Sequence, residues 1–341
     1  MDIRRIQMTG GSSFVVTLPR EWIAASNLRK NDPVRVTAQS DGTLRISANL
    51  SDNQVSRVRT IDAGSCTSAA FLFRSLIGTY IAGYTEIVIC SSPSLSSFTR
   101  TVVRDFTRMT IGQEVMEETD TMIRVKDLLD PSEMPFEKTL TRMFGITRAM
   151  HEDAIRVVEG MDRRLALAVI EEDRDVDRLQ WLIARQANMG MRDTRLLRRS
   201  GLSPVAIVNH AIIARIVERI ADHAVKIATN AAALADHPLD PGLGARLRVA
   251  SAFSLEVFDQ AARSFLSHET RLANQVIEDV RRAEAHCEEL HAHALSMPAG
   301  PAVALGNIAE SVRRLAEYSG DIAETVINDA VEKGGLAARE S

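Results

Sequence analysis

Four pairs of acidic residues stand one helical turn apart in this chain: Asp173 with Asp177, Glu218 with Asp222, Glu284 with Glu288, and Glu317 with Asp321. At i,i+4 on a helix both carboxylates share one face, where like charges repel by about 0.2–0.5 kcal/mol in an exposed peptide. A cost repeated four times calls for compensation. A hard cation supplies it by drawing several carboxylate oxygens from two converging helices. The plainer reading is a solvated stripe with arginine partners, since Arg215 and Arg219 each precede an acid by three residues and exposed ion pairs of that kind are common. On a helical wheel, however, Arg215, Arg219, His223 and Lys226 gather on one flank, while Ile213, Ile216, Ile220, Ala224 and Ile227 form the core face. Glu218 and Asp222 lie on neither, among Ala211, Ala214, Ala221 and Val225, small residues that admit close approach of another body. Metal binding is the expectation that follows.

The acids sit in a repeated frame. ARIVERIADHAVKIA (214–228) aligns with RRLAEYSGDIAETV (313–326), so that Arg215 falls on Arg314, Glu218 on Glu317 and Asp222 on Asp321. Asp173 and Asp177 before Leu179 match Glu284 and Glu288 before Leu290 in the same way. A half of roughly 100 residues therefore occurs twice. Helical periodicity covers 137–161, 163–192, 204–236, 241–267, 269–296 and 301–332. Between these lie Gly160, Arg199-Ser200-Gly201, His237 to Pro241, His268-Glu269 and Pro298 to Pro301. We expect three-helix repeats at 132–236 and 237–334, following a break at Asp130-Pro131-Ser132.

Two smaller units precede them. Residues 1–48 read as strands at Ile3–Met8, Phe14–Leu18, Pro33–Gln39 and Thr43–Ile46, with a short helix over Pro19–Asn27 and a tight Asp41-Gly42 turn. So short a segment with few apolar side chains makes a thin core, which predicts that a second copy shares it. Residues 52–130 alternate strand (Val55–Ile61), helix (Thr67–Ala82), strand (Glu86–Cys90), helix (Ser94–Arg108) and two strands (Gln113–Glu118, Met122–Asp127). That order predicts a small α/β unit, which we read as a spacer or docking domain. The fold class expected is thus multidomain and mainly α.

Composition narrows the function. Net charge is −4 and aromatic content 4%, so the bundle packs through Ala, Leu and Ile, and any basic surface is local. Residues 1–48 supply such a surface, with seven Arg and Lys against four acids. Three cysteines, Cys66, Cys90 and Cys287, show no CxxC spacing, which argues against a disulfide framework or thiolate zinc site and favours a reducing cytoplasm. The opening MDIRRIQMTGG lacks the apolar run of an export signal. The charge-poor stretch Leu290–Ala309 is broken by His291, His293, Pro298, Gly300 and Pro301, so no transmembrane segment is expected. No Ser/His/Asp, Cys/His or GxxxxGK arrangement is present for nucleophilic catalysis or nucleotide hydrolysis. A carboxylate oxidase would need two Glu-x-x-His motifs, and the relevant helices offer only Glu288 to His291. We expect no enzyme.

VERIADHAVKIATN (217–230) and IEEDRDVDRLQWLI (170–183) resemble the signature motifs of the PhoU family, over about 200 residues from Phe136 to Glu332. The resemblance implies two three-helix bundles and regulation of phosphate uptake, in association with a phosphate transporter and its signalling partners. It implies one metal cluster at Asp173, Asp177, Glu218 and Asp222 and a second at Glu284, Glu288, Glu317 and Asp321. The ion would be divalent or trivalent, among iron, zinc, manganese and magnesium, since oxygen ligands discriminate little. In the second copy LAEYSGDIAE replaces the ERIxDHA core, and Glu284 and Glu288 replace aspartates. TGGSSFVVTLPREW, LRKNDPVRV and DGTLRI, within residues 1–48, resemble the AbrB/MazE-type swapped-hairpin DNA-binding domain. That resemblance implies a homodimer with basic residues facing DNA, here Arg4, Arg5 and Arg20, and with Ser12 and Ser13 donating to phosphate oxygens. The strand entered after the turn, Phe14–Thr17, lacks the basic residue common in that family. Two functions remain open, a DNA-binding regulator of phosphate homeostasis and an adaptor that docks on a transporter or kinase.

Overall fold

The computed structural model describes residues 3–38, 42–48, 56–66, 68–130, 133–235 and 237–333. Gln39, Asp41, Val55, Thr67, Pro131 and Ser132, which the sequence placed in turns or element ends, lie outside them. The chain divides into two compact units, Met1–Val55 and Ser56–Ser341.

In the first unit β1 (Gln7–Thr9) pairs antiparallel with β2 (Ser13–Val15), α1 (Arg20–Ala25) follows, and β3 (Arg35–Ala38) pairs antiparallel with β4 (Leu44–Ser47). Gly10 and Gly11 at φ of 65° and 83° make the first turn, and Gly42 at 81° contributes to the second, a conformation that costs L side chains but not glycine. Pro19, expected within the helix, stands extended just before it, and the helix runs shorter than the Pro19–Asn27 the sequence suggests. No described residue of this unit is buried. Ile3 at 91% and Phe14 at 73% exposure are apolar side chains that a lone copy leaves in water.

The second unit opens with a four-stranded sheet in the order β5 (Val58–Asp62), β6 (Glu86–Cys90), β8 (Met122–Asp127), β7 (Gln113–Glu118). β5 and β6 run parallel across the crossover helix α2 (Ala69–Ile81), and the β6–β8 and β7–β8 pairs are antiparallel. Alternation with period two puts Ile87, Ile89, Ile123 and Val125 on the buried face. They form one core with Leu72, Leu76 and Tyr80 of α2 and with Val102, Val103 and Phe106 of α3 (Ser97–Met109). Ser68 caps α2 and Ser96 caps α3, so the third helix-forming run starts two residues later than the serine after Pro93 would place it.

The helical part comprises α4 (Phe136–Gly160), α5 (Arg163–Arg192), α6 (Thr194–Ser200), α7 (Pro204–Ala231), α8 (Pro241–Ser267), α9 (Thr270–Ala294) and α10 (Ala299–Glu332). Asp162, Ser203 and Asp240 accept from backbone N–H groups at the starts of α5, α7 and α8, satisfying donors that a helix start leaves unpaired. The duplication is visible in the turns, since the α4–α5 and α8–α9 corners each turn on a left-handed residue, Met161 at φ 52° and His268 at φ 55°. One continuous apolar core runs from Phe136 to Val326 through both halves. The repeats are therefore fused, with α7 packed on α10, and α6 is an addition that the separator Arg199-Ser200-Gly201 did not announce.

The α/β layer is docked on α5 and is no loose spacer. Trp181 of α5 packs on its core and meets Phe73 edge-on at 6.5 Å. Arg185, 2% exposed, donates to Asp127 Oδ2 at 2.5 Å and to the carbonyls of Tyr80 and Tyr84 at 2.5 and 2.8 Å. Its guanidinium lies 4.7 Å from the Tyr80 ring centroid. Asn188 donates to the Ile81 carbonyl at 3.1 Å. Removing one partner of such a pair strands a buried charge, so Arg185→Ala should lower unfolding stability by about 3–5 kcal/mol. Urea unfolding checks this, and Arg185→Met combined with Asp127→Leu should recover most of the loss.

Candidate functional site

The acids of the first half lie between α5 and α7. Val176 and Leu179 on α5 and Val217, Ile220 and Ala224 on α7 are buried, and this packing draws the two helices together along the face that carries the carboxylates. Glu218 is 7% exposed, Asp173 and Asp177 are half-buried, and Asp222 reaches solvent. Asp173 Oδ1 and Glu218 Oε2 are buried and accept no hydrogen bond. The other Glu218 oxygen, Oε1, accepts from Arg215 Nη1 at 2.9 Å. Of the two arginine pairings expected, this one is formed.

Electrostatics ties the four acids into one group. Burial, with the charge of Asp222, pushes the Asp173 carboxyl up to about 6. Burial again, followed by Asp173, Glu218 and Asp222, pushes Asp177 up to about 7 against the opposing pull of Arg215. Glu218 is raised by burial and by Asp222 and Asp173, with Arg215 and Arg219 pulling the other way. One guanidinium in direct contact cannot neutralise four carboxylates. Two states remove the strain, protonation or a bound cation.

In the second half the structure arranges the equivalent residues differently. Glu317 of α10 accepts from Arg313 and, at 2.9 Å, from Arg314 Nη1. Glu310 accepts from the same two arginines, at 2.8 Å each, which holds its carboxyl below the usual carboxylate range. Glu284 is half-buried and Glu288 exposed. Cys287, between them in sequence, is pushed up to about 12 by burial, with Arg313 lowering it and Glu310, Glu284 and Glu317 adding to the rise. Exposed Asp321 is raised by burial of its surroundings and by Glu324, and lowered by Arg219 of the first half. The first quartet is electrostatically coupled and charge-frustrated. In the second, Glu317 is held by guanidinium groups and Asp321 faces Glu324 and Arg219.

The signal for this asymmetry is in the alignment. Where the first half has Ala211 and Ala214, the second has Glu310 and Arg313. His223 likewise departs from the solvated flank, since its Nδ1 stands 3.2 Å from Ser311 Oγ and its ring 5.8 Å from that of Tyr318. It is a seam residue between the halves.

An all-oxygen donor set suits hard cations, and the orphaned Asp173 and Glu218 oxygens fit an ion between α5 and α7. Among the described residues no three His, Cys, Asp or Glu side chains are already gathered in metal-holding geometry, so an ion would have to draw them together. In the first unit Arg5, Ser12, Ser13 and Arg20 are exposed, and Arg4 Nη1 donates to Thr17 Oγ1 at 3.1 Å.

Residues 140–231 match the family described as PhoU domain, and residues 7–51 match that described as antidote-toxin recognition MazE, bacterial antitoxin. Among solved structures, the chain is similar to the phosphate transport system regulatory protein PhoU from Streptococcus pneumoniae. Identity is 17% and the TM-score 0.50, over 60% of this chain and 96% of that one. It is also similar to PhoU from Pseudomonas aeruginosa, at 22% identity and a TM-score of 0.48 over 58% of this chain and 96% of that one. Comparison with curated protein sequences gives no match. The first structural likeness shows a PhoU-like fold over more of the chain than a single three-helix half contains. No helix among the described residues is long and apolar enough to cross a membrane.

The raised carboxyls predict a pH dependence. The folded state holds protons up to about 6 at Asp173 and about 7 at Asp177, whereas an unfolded aspartate releases its proton near ~3.9. Between those limits the folded state binds more protons, so stability falls as pH rises through the window from about 4 to 7 and stays low above it. Metal-free protein should show a lower urea midpoint at pH 8 than at pH 5, and Asp173→Asn/Asp177→Asn should flatten that slope.

Proposed function

We propose, from the PhoU domain match over the helices that carry the buried acids, that this chain is a non-enzymatic regulator of phosphate uptake with a metal-binding helical half and a DNA-binding, dimerising N-terminal module. The observation that carries it is the pair of buried carboxylate oxygens, Asp173 Oδ1 and Glu218 Oε2, that accept no hydrogen bond inside a four-acid cluster. Asp173, Asp177, Glu218 and Asp222 would hold a divalent or trivalent ion, with iron, zinc, manganese and magnesium all compatible with oxygen ligands. The ion supplies positive charge that cancels the mutual repulsion of the acids. Arg215 orients Glu218, and the apolar side chains beside the acids keep water from screening them. Glu284, Glu288, Glu317 and Asp321 would form the second and weaker cluster, because Arg313 and Arg314 compete with an ion for Glu317.

For the first unit, the MazE match and the exposure of Ile3, Ile6, Met8 and Phe14 support a homodimer that shares one core. Arg4, Arg5 and Arg20 of both copies would then neutralise phosphates, with Ser12 and Ser13 orienting the backbone. The setting is cytoplasmic, and a phosphate transporter or signalling kinase is the second partner. One observation favours the adaptor reading instead: Arg4 is engaged by Thr17 and Phe14–Thr17 carries no base, so the module would dimerise and leave docking to the bundle.

Elemental analysis after metal loading tests the metal. Wild type should retain bound ion that Asp173→Asn/Asp177→Asn loses, while Glu317→Gln/Asp321→Asn loses less. Equal content in all three would contradict the assignment. Gel shifts with promoter DNA test the module. A shift that weakens steeply with salt and is lost in Arg4→Ala/Arg5→Ala supports the DNA reading. Salt-insensitive or absent binding, with recovery of transporter components in a pull-down, supports the adaptor.

A further inference from the structure

At the end of the bundle where α7 begins, one imidazole is prepared as a ligand. His210 is 4% exposed, and its Nδ1 lies 2.6 Å from the carbonyl oxygen of Ala206 one turn back. A carbonyl only accepts, so Nδ1 carries the proton and Nε2 keeps its lone pair. That Nε2 is buried and has no hydrogen-bond partner. The rings of Phe136 and Phe265 meet the imidazole edge-on, with centroids at 5.5 and 5.1 Å, and hold its orientation. Burial lowers its titration range, with the Ala206 bond, Glu137 and Asp329 opposing and His268 reinforcing, which favours the neutral ring. Fixing the tautomer through a backbone carbonyl while freeing the other nitrogen is how proteins prepare metal-binding histidines.

The ring lines a cavity of about 60 Å³ shared with Glu137 of α4, Asn209, His268 at the end of α8, and Asp329 and Lys333 at the end of α10. There is room for one or two waters, at roughly 30 Å³ each. In the lining, Asn209 Nδ2 and Lys333 Nζ donate to Asp329, at 3.3 and 2.6 Å, and neither donates to His210 Nε2. Thr325 donates its hydroxyl to the Asp321 carbonyl at 2.9 Å, and the other polar side chains of the lining are two carboxylates and a second imidazole, which are themselves ligand types.

We propose that this cavity is a cation site of its own, taking a transition metal of the zinc class through His210 Nε2, His268 and the Asp329 carboxylate. Imidazole suits zinc, copper, iron and nickel, whereas the all-oxygen acids between α5 and α7 suit harder ions. His210 precedes Glu218 by eight residues, about 12 Å along a helix at 1.5 Å per residue, so the two sites are separate. Metal-holding geometry is not already gathered among the described residues, and the site closes on its ion. His268, exposed at the left-handed α8–α9 corner, swings in, and Lys333 Nζ yields Asp329.

Zinc titration of the full chain, stripped by chelator and carrying Asp173→Asn/Asp177→Asn with Glu317→Gln/Asp321→Asn, isolates this site from both acid clusters, so the assignments fail separately. Zinc bound in that background should be lost on adding His210→Gln, and His268→Gly should weaken it by roughly tenfold or more. The latter change also relieves a left-handed backbone, so its unfolding midpoint should not fall. Lys333→Ala should tighten binding by removing the competitor for Asp329, a gain that a merely structural lysine would not give. Cobalt(II) substituted for zinc should show visible bands that disappear with His210→Gln. The proposal is overturned if the background protein binds no zinc, if folded His210→Gln binds as much as its parent, or if His268→Gly and Lys333→Ala leave affinity unchanged. In each of those cases the cavity holds water only.

Discussion

Like charges buried together between two helices are the constraint on which the rest of this structure turns. Asp173, Asp177, Glu218 and Asp222 act on one another, two of their oxygens are out of water without a hydrogen bond, and Arg215 bonds Glu218 at 2.9 Å. Burial of charge is costly unless something pairs with it. The second half shows the other solution, since Arg313 and Arg314 bridge Glu310 and Glu317. Two copies of one architecture thus carry opposite electrostatic states, separated by the exchange of Ala211 and Ala214 for Glu310 and Arg313.

Helix α5 is where this constraint meets the remainder of the second unit. Asp173 and Asp177 near its middle look toward α7, while Trp181, Arg185 and Asn188 further along hold the α/β layer. Through Arg185 and Asp127 the sheet is fastened to the same helix that carries the acids, and α7 in turn packs on α10 of the other half. Charge at the acids is therefore set beside the packing that joins both halves and the sheet.

Much of this was legible from residue types. The strand order of 52–130 and the six long helices follow from period-two and period-3.6 patterns, with ends displaced by a few residues where Ser96 rather than an earlier serine makes the cap. In the first half the i,i+4 acids lie on facing helices and act on one another, whereas in the second Glu288 and Asp321 are exposed. What periodicity could not give was the partner of each charge, because that depends on tertiary packing. Arg185, which no pattern singled out, is the largest fully buried side chain among the described residues. His223 reads as part of a basic flank and joins the seam with Ser311. Helix α6, short and rich in arginine, shows little apolar periodicity, and Leu197 alone of its described side chains packs on the core.

Anomalous diffraction from crystals grown with manganese, recorded at the absorption edge of that metal, addresses the central point directly. The account requires a peak between α5 and α7 within roughly 2.0–2.6 Å of carboxylate oxygens, those of Asp173 and Glu218 among them. A well-ordered crystal with no peak there, and with Asp173 Oδ1 and Glu218 Oε2 paired to guanidinium groups or to water, would contradict it.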